Sequence, residues 1–143
     1  MTAKEYLSQL RWKNAKINSL IARQQRYREL ATRRTAVYRD TPGGGRRSSS
    51  SAEEYVCRIV DMEREIDRRI DEYVDLTREI EGRIRTLEDE RYRAILCFRY
   101  INEWSWVKIA QEMNYSLDWV WELHGRALRE FSRIFKEPSK TQF

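Results

Sequence analysis

The sequence predicts an all-α protein, a long antiparallel helical hairpin of coiled-coil type followed by a C-terminal helix-turn-helix. Three observations predict it. From Ala3 to about Tyr38 no Gly or Pro interrupts the chain, and apolar residues recur in steps of three and four. A similar stripe returns after residue 52. Residues 105–131, SWVKIAQEMNYSLDWVWELHGRALREF, then read as a short helix, a tight turn and a longer helix. Leu, Ile, Val and Phe make up little more than a fifth of the 143 residues, close to the compositional edge of disorder. A large core is therefore not expected, and long helices sharing a narrow seam suit the composition better.

The first helix carries Leu7, Leu10, Ile17, Leu20, Ile21, Tyr27 and Leu30 on one stripe. Gln24 falls in the same stripe, as a weak point or a polar contact that sets the register. The stretch RDTPGGGRRSSSSAEE that follows contains a Pro, three Gly and four Ser, and predicts a flexible loop over 39–52. A second long helix then runs to about Leu87, with the Ser run as its N-cap and Glu53 and Glu54 in its first turn. Ile66, Ile70, Tyr73, Thr77, Ile80, Ile84 and Leu87 alternate in steps of four and three, a heptad seam with one polar break at Thr77. Acid-before-base pairs such as Glu65–Arg69 and Glu79–Arg83 support the helix by roughly 0.2–0.5 kcal/mol each. So narrow a hairpin core leads us to expect a homodimer.

The module at 88–137 is the more specific part. Tyr92, Ile95, Leu96 and the run from Phe98 to Ile101 form an amphipathic helix ending near Asn102. Ser105 is placed to cap a short helix, with Val107, Ile109, Ala110 and Met113 facing inward. Asn114 suits the left-handed residue that ends it, and Ser116 caps a third helix. Val120, Leu123, Ala127, Phe131 and Ile134 give that helix an unbroken inward stripe. Residues 138–143 are assigned to a disordered tail.

Composition narrows the function. The net charge of +5 is uneven: residues 1–51 hold 12 basic and 3 acidic side chains (+9), 52–101 hold 10 and 14 (−4), and the remainder balances. A basic helix lying beside an acidic one accounts for this first, and contact of the basic arm with phosphate second. Cys57 and Cys97 are too few and too isolated for a disulfide framework or a zinc site. One His and no metal-ligand spacing leave little for catalysis, and Gly43–Gly45 lack the strand and the Lys-Ser/Thr of a phosphate loop. Neither enzymatic activity nor a cofactor or metal is expected. No apolar run reaches membrane-spanning length and no leader pattern opens the chain, so a cytoplasmic protein, off the membrane, is the expectation.

Residues 91–131 resemble region 4 of bacterial sigma factors, on the Ile95–Tyr100 run, the Ser105–Ala110 pattern, the turn at Ser116, Val120 and Arg126–Leu128. The whole chain resembles the ArpU-like late transcription regulators, short phage and prophage proteins with a sigma-like helix-turn-helix. The resemblance implies a sequence-specific regulator of phage or prophage genes, bound to double-stranded DNA in a bacterial host cell. By the same resemblance Ser105 and Lys108 approach phosphate, Leu117, Asp118, Trp119, Trp121 and Glu122 stand at the major groove, and the turn residue Ser116 belongs to the same DNA-binding set. Arg126 and Arg129 follow along the same helix. The chain departs from the sigma pattern at Leu117, Trp119 and Trp121, where sigma-like readers carry Arg, the residue of the bidentate guanine contact.

Two accounts of these tryptophans stand beside direct reading of DNA. Leu117, Trp121, His124 and Leu128 form a second stripe, which assigns Trp121 to packing against the hairpin or a second subunit. His124 then reads as a packed histidine and not a ligand. Trp119, about 200° from Trp121 around the helix, is the better exposed functional residue. Alternatively, exposed aromatics bind a protein, with RNA polymerase the second candidate partner. A small-terminase-like packaging protein is the remaining alternative.

Overall fold

The computed structural model describes residues 1–40 and 46–136, with side chains described outside 34–40 and 46–50. All regular structure among these residues is helical. Helix α1 spans Ala3–Asp40, α2 Arg46–Arg85 and α3 Glu90–Leu96, which continues into a π-turn at Cys97–Ile101. Helices α4, Trp106–Met113, and α5, Leu117–Lys136, complete the order. No helix among the described residues is long and apolar enough to cross a membrane.

Local chemistry explains the helix ends. Thr2 and Glu5 form a reciprocal capping box, each backbone N–H donating to the other's side chain, at 2.9 and 3.1 Å respectively. Helix α2 begins at Arg46, so part of the expected loop at 39–52 is helical and the Ser run lies inside the helix, not at its cap. Serine costs a helix interior only a few tenths of a kcal/mol, whereas Pro and Gly carry the large penalties. Pro42, Gly43, Gly44 and Gly45 lie outside the described residues, as does the expected tail at 138–143. Asp89 caps α3 by accepting from the Arg91 N–H at 2.9 Å. The Arg93 guanidinium donates to the Leu87 and Glu88 carbonyls, closing the turn before it.

The chain divides into two compact units, one of Met1–Trp12 with Tyr73–Phe143 and one of Lys13–Glu72. Burial explains the division. Leu7 and Leu10 of α1 and Ile80, Ile84 and Leu87 of the α2 end bury in one cluster with Ile95, Leu96, Ile109, Val120, Leu123, Ala127 and Phe131. Each of these Leu, Ile, Val and Phe side chains contributes roughly 1.5–3 kcal/mol. Tyr6, Phe131 and Phe135 form a triangle of rings, with Tyr6 at centroid distances of 6.2 and 4.9 Å from the other two and the Arg83 guanidinium over its ring. Thr77, the polar break in the stripe, returns its hydroxyl to the Tyr73 carbonyl at 2.8 Å, so the break leaves no polar group unsatisfied.

Among the described residues of the second unit, Ile17, Leu20, Ile66 and Gln24 are the buried ones. Gln24 Nε2 donates to the Ile59 carbonyl at 3.2 Å and to Glu63 Oε2 at 2.6 Å. Tyr27, one turn on, meets Tyr55, and Arg58 lies over its ring. Ile21 and Ile70, expected in the stripes, are instead 45% and 39% exposed. One row of side chains is all that two helices can cover, and Ile21 lies about 100° around the helix from Leu20.

Candidate nucleic-acid interface

Helices α4 and α5 and the turn between them carry the candidate site. Ser105 Oγ accepts from the Lys108 N–H at 3.2 Å, which fixes the start of α4. Asn114 ends it in the left-handed region, at φ 55°. Its amide position lets the Tyr115 N–H return to the Ala110 carbonyl at 3.1 Å. Ser116 Oγ then accepts from the Trp119 N–H at 3.2 Å and starts α5. Ile109 is buried against Val120 and Leu123, with the small Ala110 packed at the same core. These two caps and one left-handed residue are the features expected from the sequence at those positions.

Upstream, the chain does something the sequence does not announce. The Asn102 N–H reaches back five residues to the Cys97 carbonyl at 2.9 Å, and the Trp104 N–H reaches Phe98 at 3.0 Å. Trp104 thereby stacks on Phe98, with centroids 4.6 Å apart and planes 13° apart. Two cations rest on tryptophan faces here: Lys108 Nζ lies 4.3 Å from the Trp104 centroid and the Arg99 guanidinium 4.3 Å from that of Trp106. Arg99 also donates to the Trp104 carbonyl at 3.0 Å. Trp106, not the expected Val107, faces inward; Val107 is 57% exposed. Trp106 sets its ring across His124, 4.6 Å between centroids. The Tyr100 hydroxyl and His124 Nε2 are 2.8 Å apart. Burial first, then the Lys4 and Arg99 charges, push the His124 pKa down to about 4, and burial pushes Tyr100 up to about 12. His124 is therefore a packed, neutral histidine at pH 7.

The segment 36–132, which spans most of this architecture, matches the model of a family described as "Protein of unknown function (DUF1492)". The chain belongs to the DUF1492 family. No curated protein and no solved structure matches it. The DUF1492 match takes in every candidate site residue from Ser105 to Arg129 and leaves out residues 1–35, nearly all of α1.

Within the DUF1492 segment, Ser105, Lys108, Ser116, Asp118, Glu122, Arg126 and Arg129 are exposed, whereas Leu117 and Trp119 are half-buried. Asp118, Glu122 and Arg129 share the outward face of α5, opposite Val120, Leu123 and Ala127. Arg126 Nε bonds Glu122 at 3.1 Å, and the Arg126 guanidinium lies 5.2 Å from the Trp119 ring.

The tryptophans exchange the roles expected of them. Trp121 is 49% exposed, while Trp119 packs on the core and meets the edge of Tyr115 at 6.4 Å. Helical geometry gives the reason. The buried stripe of α5 points in one mean direction, from which Trp119 lies roughly 80° and Trp121 roughly 120°. Counting from that direction, not from the second stripe alone, would have found Trp121. Beside it, Val107, Ala110, Gln111, Asn114, Tyr115 and Leu117 line a shallow groove between α4 and the start of α5.

Proposed function

We propose that the chain is a sequence-specific duplex-DNA-binding transcriptional regulator of phage or prophage genes. In this reading α4, the turn and α5 form a sigma-region-4-like helix-turn-helix of the ArpU-like kind. The rest of α1 and α2 form an antiparallel hairpin that dimerises and sets the spacing of two half-sites. One observation carries the reading: between two Ser caps and a left-handed Asn, α5 presents Asp118, Trp121, Glu122 and Arg129 away from the core. Asp118 and Glu122 accept from cytosine amino groups, Trp121 takes apolar contact with thymine methyls, and Arg129 supplies a phosphate or guanine contact. Ser105 and Lys108 position the module on the backbone. Trp119 acts through packing: it holds Arg126, and through Arg126 the carboxylate of Glu122.

Selection of bound fragments from sheared host-plus-phage DNA, followed by sequencing, tests this. The expected result is a few sharp peaks, lost with Arg129→Glu and weakened with Trp121→Ala. Trp121→Ala should leave stability within about 0.5 kcal/mol of the parent, as for an exposed side chain. Peaks at promoters support a regulator, and peaks at a packaging site move the reading to a terminase-like role. A flat profile overturns sequence-specific reading. The exposure of Trp121 and Val107 beside the α4–α5 groove favours one second reading, a module that binds protein such as RNA polymerase. Polymerase captured by the immobilised chain, with no duplex shifted, selects it.

A further inference from the structure

The basic first turns of α1 have no part in the reading above, yet they stand in the same compact unit as α4 and α5. Lys4, Ser8 and Arg11 follow at i, i+4 and i+7 and so share one helix face. With Arg99, Ser105 and Trp106 they line a cleft of about 490 Å³. We infer that this cleft seats a backbone phosphate of the bound duplex at the amino end of α4, and this inference rests on the duplex-binding reading.

Charge and geometry agree on an anion. Lys4, Arg11 and Arg99 face the cleft with one carboxylate, Glu103, so the lining holds a positive excess. The Arg99 guanidinium is already fixed, lying over Trp106 and bonded to the Trp104 carbonyl, so little side-chain entropy is lost when it meets an anion. Lys4 and Arg11 are exposed and Ser8 half-buried, leaving their polar ends within reach of solvent. Ser105 Oγ satisfies the Lys108 N–H, while the N–H groups of Trp106 and Val107 head α4 with no carbonyl inside the helix. A phosphodiester spreads one negative charge over two non-bridging oxygens. Cations from α1 on one side and Arg99, the Ser105 hydroxyl and the α4 amides on the other match both. The same field reaches His124 behind the cleft, where Lys4 and Arg99 add to the effect of burial. A base edge has no place here, so the contact fixes register and carries no sequence information.

The test is the salt dependence of duplex affinity for the full chain and for K4Q/R11Q, titrated from 50 to 200 mM salt with one selected and one unrelated duplex. Losing one phosphate contact should lower the slope of log K against log salt by about 0.9. Affinity at the low-salt end should fall roughly tenfold for both duplexes, leaving their ratio unchanged. K4R/R11K, which keeps both charges, should restore the parent slope. If the parent binds and K4Q/R11Q keeps its slope, this inference alone is overturned. If K4Q/R11Q changes the ratio between duplexes, the cleft reads sequence and the backbone assignment is overturned. A parent chain that shifts no duplex overturns the duplex reading and this inference together.

Discussion

The two compact units of this chain are built from overlapping helices yet bury their interiors very differently. Residues 1–12 and 73–136 draw on α1, α2, α3, α4 and α5, and close Leu7, Ile84, Ile95, Ile109, Leu123 and Phe131 completely or nearly so from solvent. Residues 13–72 have only α1 and α2 to work with, and bury Ile17, Leu20 and Ile66 around the amide of Gln24. The difference teaches what a low-apolar sequence can do with helices. Where several meet, a few large side chains are shared by many neighbours. Where two run side by side, each apolar residue has one row of partners and the next residue around is left exposed, as Ile21 is.

Phe131→Ala should have the largest effect, because the ring is fully buried and stacks on Tyr6 and Phe135. Its loss should cost about 3–5 kcal/mol in urea unfolding followed by tryptophan fluorescence. A cost under about 1 kcal/mol would mean that the larger unit is not held by this cluster, and the contrast between the units would collapse.

Acid should strike the same unit next. Above pH 6.5 His124 is neutral in the folded and unfolded chain alike and costs nothing. Between pH 6.5 and about 4 the unfolded chain binds a proton that the folded chain refuses, so stability falls with pH. Below about 4 the loss levels off, at a value on the order of 2–3 kcal/mol once solvent screening of a partly exposed ring is allowed for. His124→Phe should flatten this part of the pH–stability curve. A variant as acid-sensitive as the parent would place the titrating group elsewhere.

Much of the larger unit is legible in the sequence because caps and turns are local. Ser105, Asn114 and Ser116 need only their own neighbours to act, and each does what its type and position imply. The inward stripe of α5 is equally plain, since Val120, Leu123, Ala127 and Phe131 are all buried. What stays hidden depends on distant partners or on departures from 3.6 residues per turn. The π-turn at Cys97–Ile101 turns Trp104 onto Phe98 and sends Trp106 inward in place of Val107. The exposure of Trp121 and the packing of Trp119 depend on where the core lies, which the stripe on α5 fixes only once its mean direction is counted. The cleft at Lys4 and Arg11 joins residues nearly a hundred positions apart in sequence, and no local pattern marks it.

The smaller unit offers the subtlest test, at Gln24. Its side chain is 5% exposed, and Nε2 donates both to the Ile59 carbonyl and to the Glu63 carboxylate. A buried amide in an apolar row gives up transfer free energy and gains register, since only one alignment of the two helices brings Glu63 within reach. Replacing Gln24 with Leu removes the amide and puts an apolar side chain in the row, while Glu63, half-exposed, returns its carboxylate to water at little cost. Gln24→Leu should therefore stabilise residues 13–72 by about 1 kcal/mol, measured as slower exchange of the backbone amides around Leu20 and Ile66. The same variant should broaden the distribution of distances between spin labels at exposed positions 23 and 64, because the alternative alignments are no longer penalised. Faster exchange would mean that the amide is a net support of the seam. A single sharp distance would mean that the apolar row alone fixes the register.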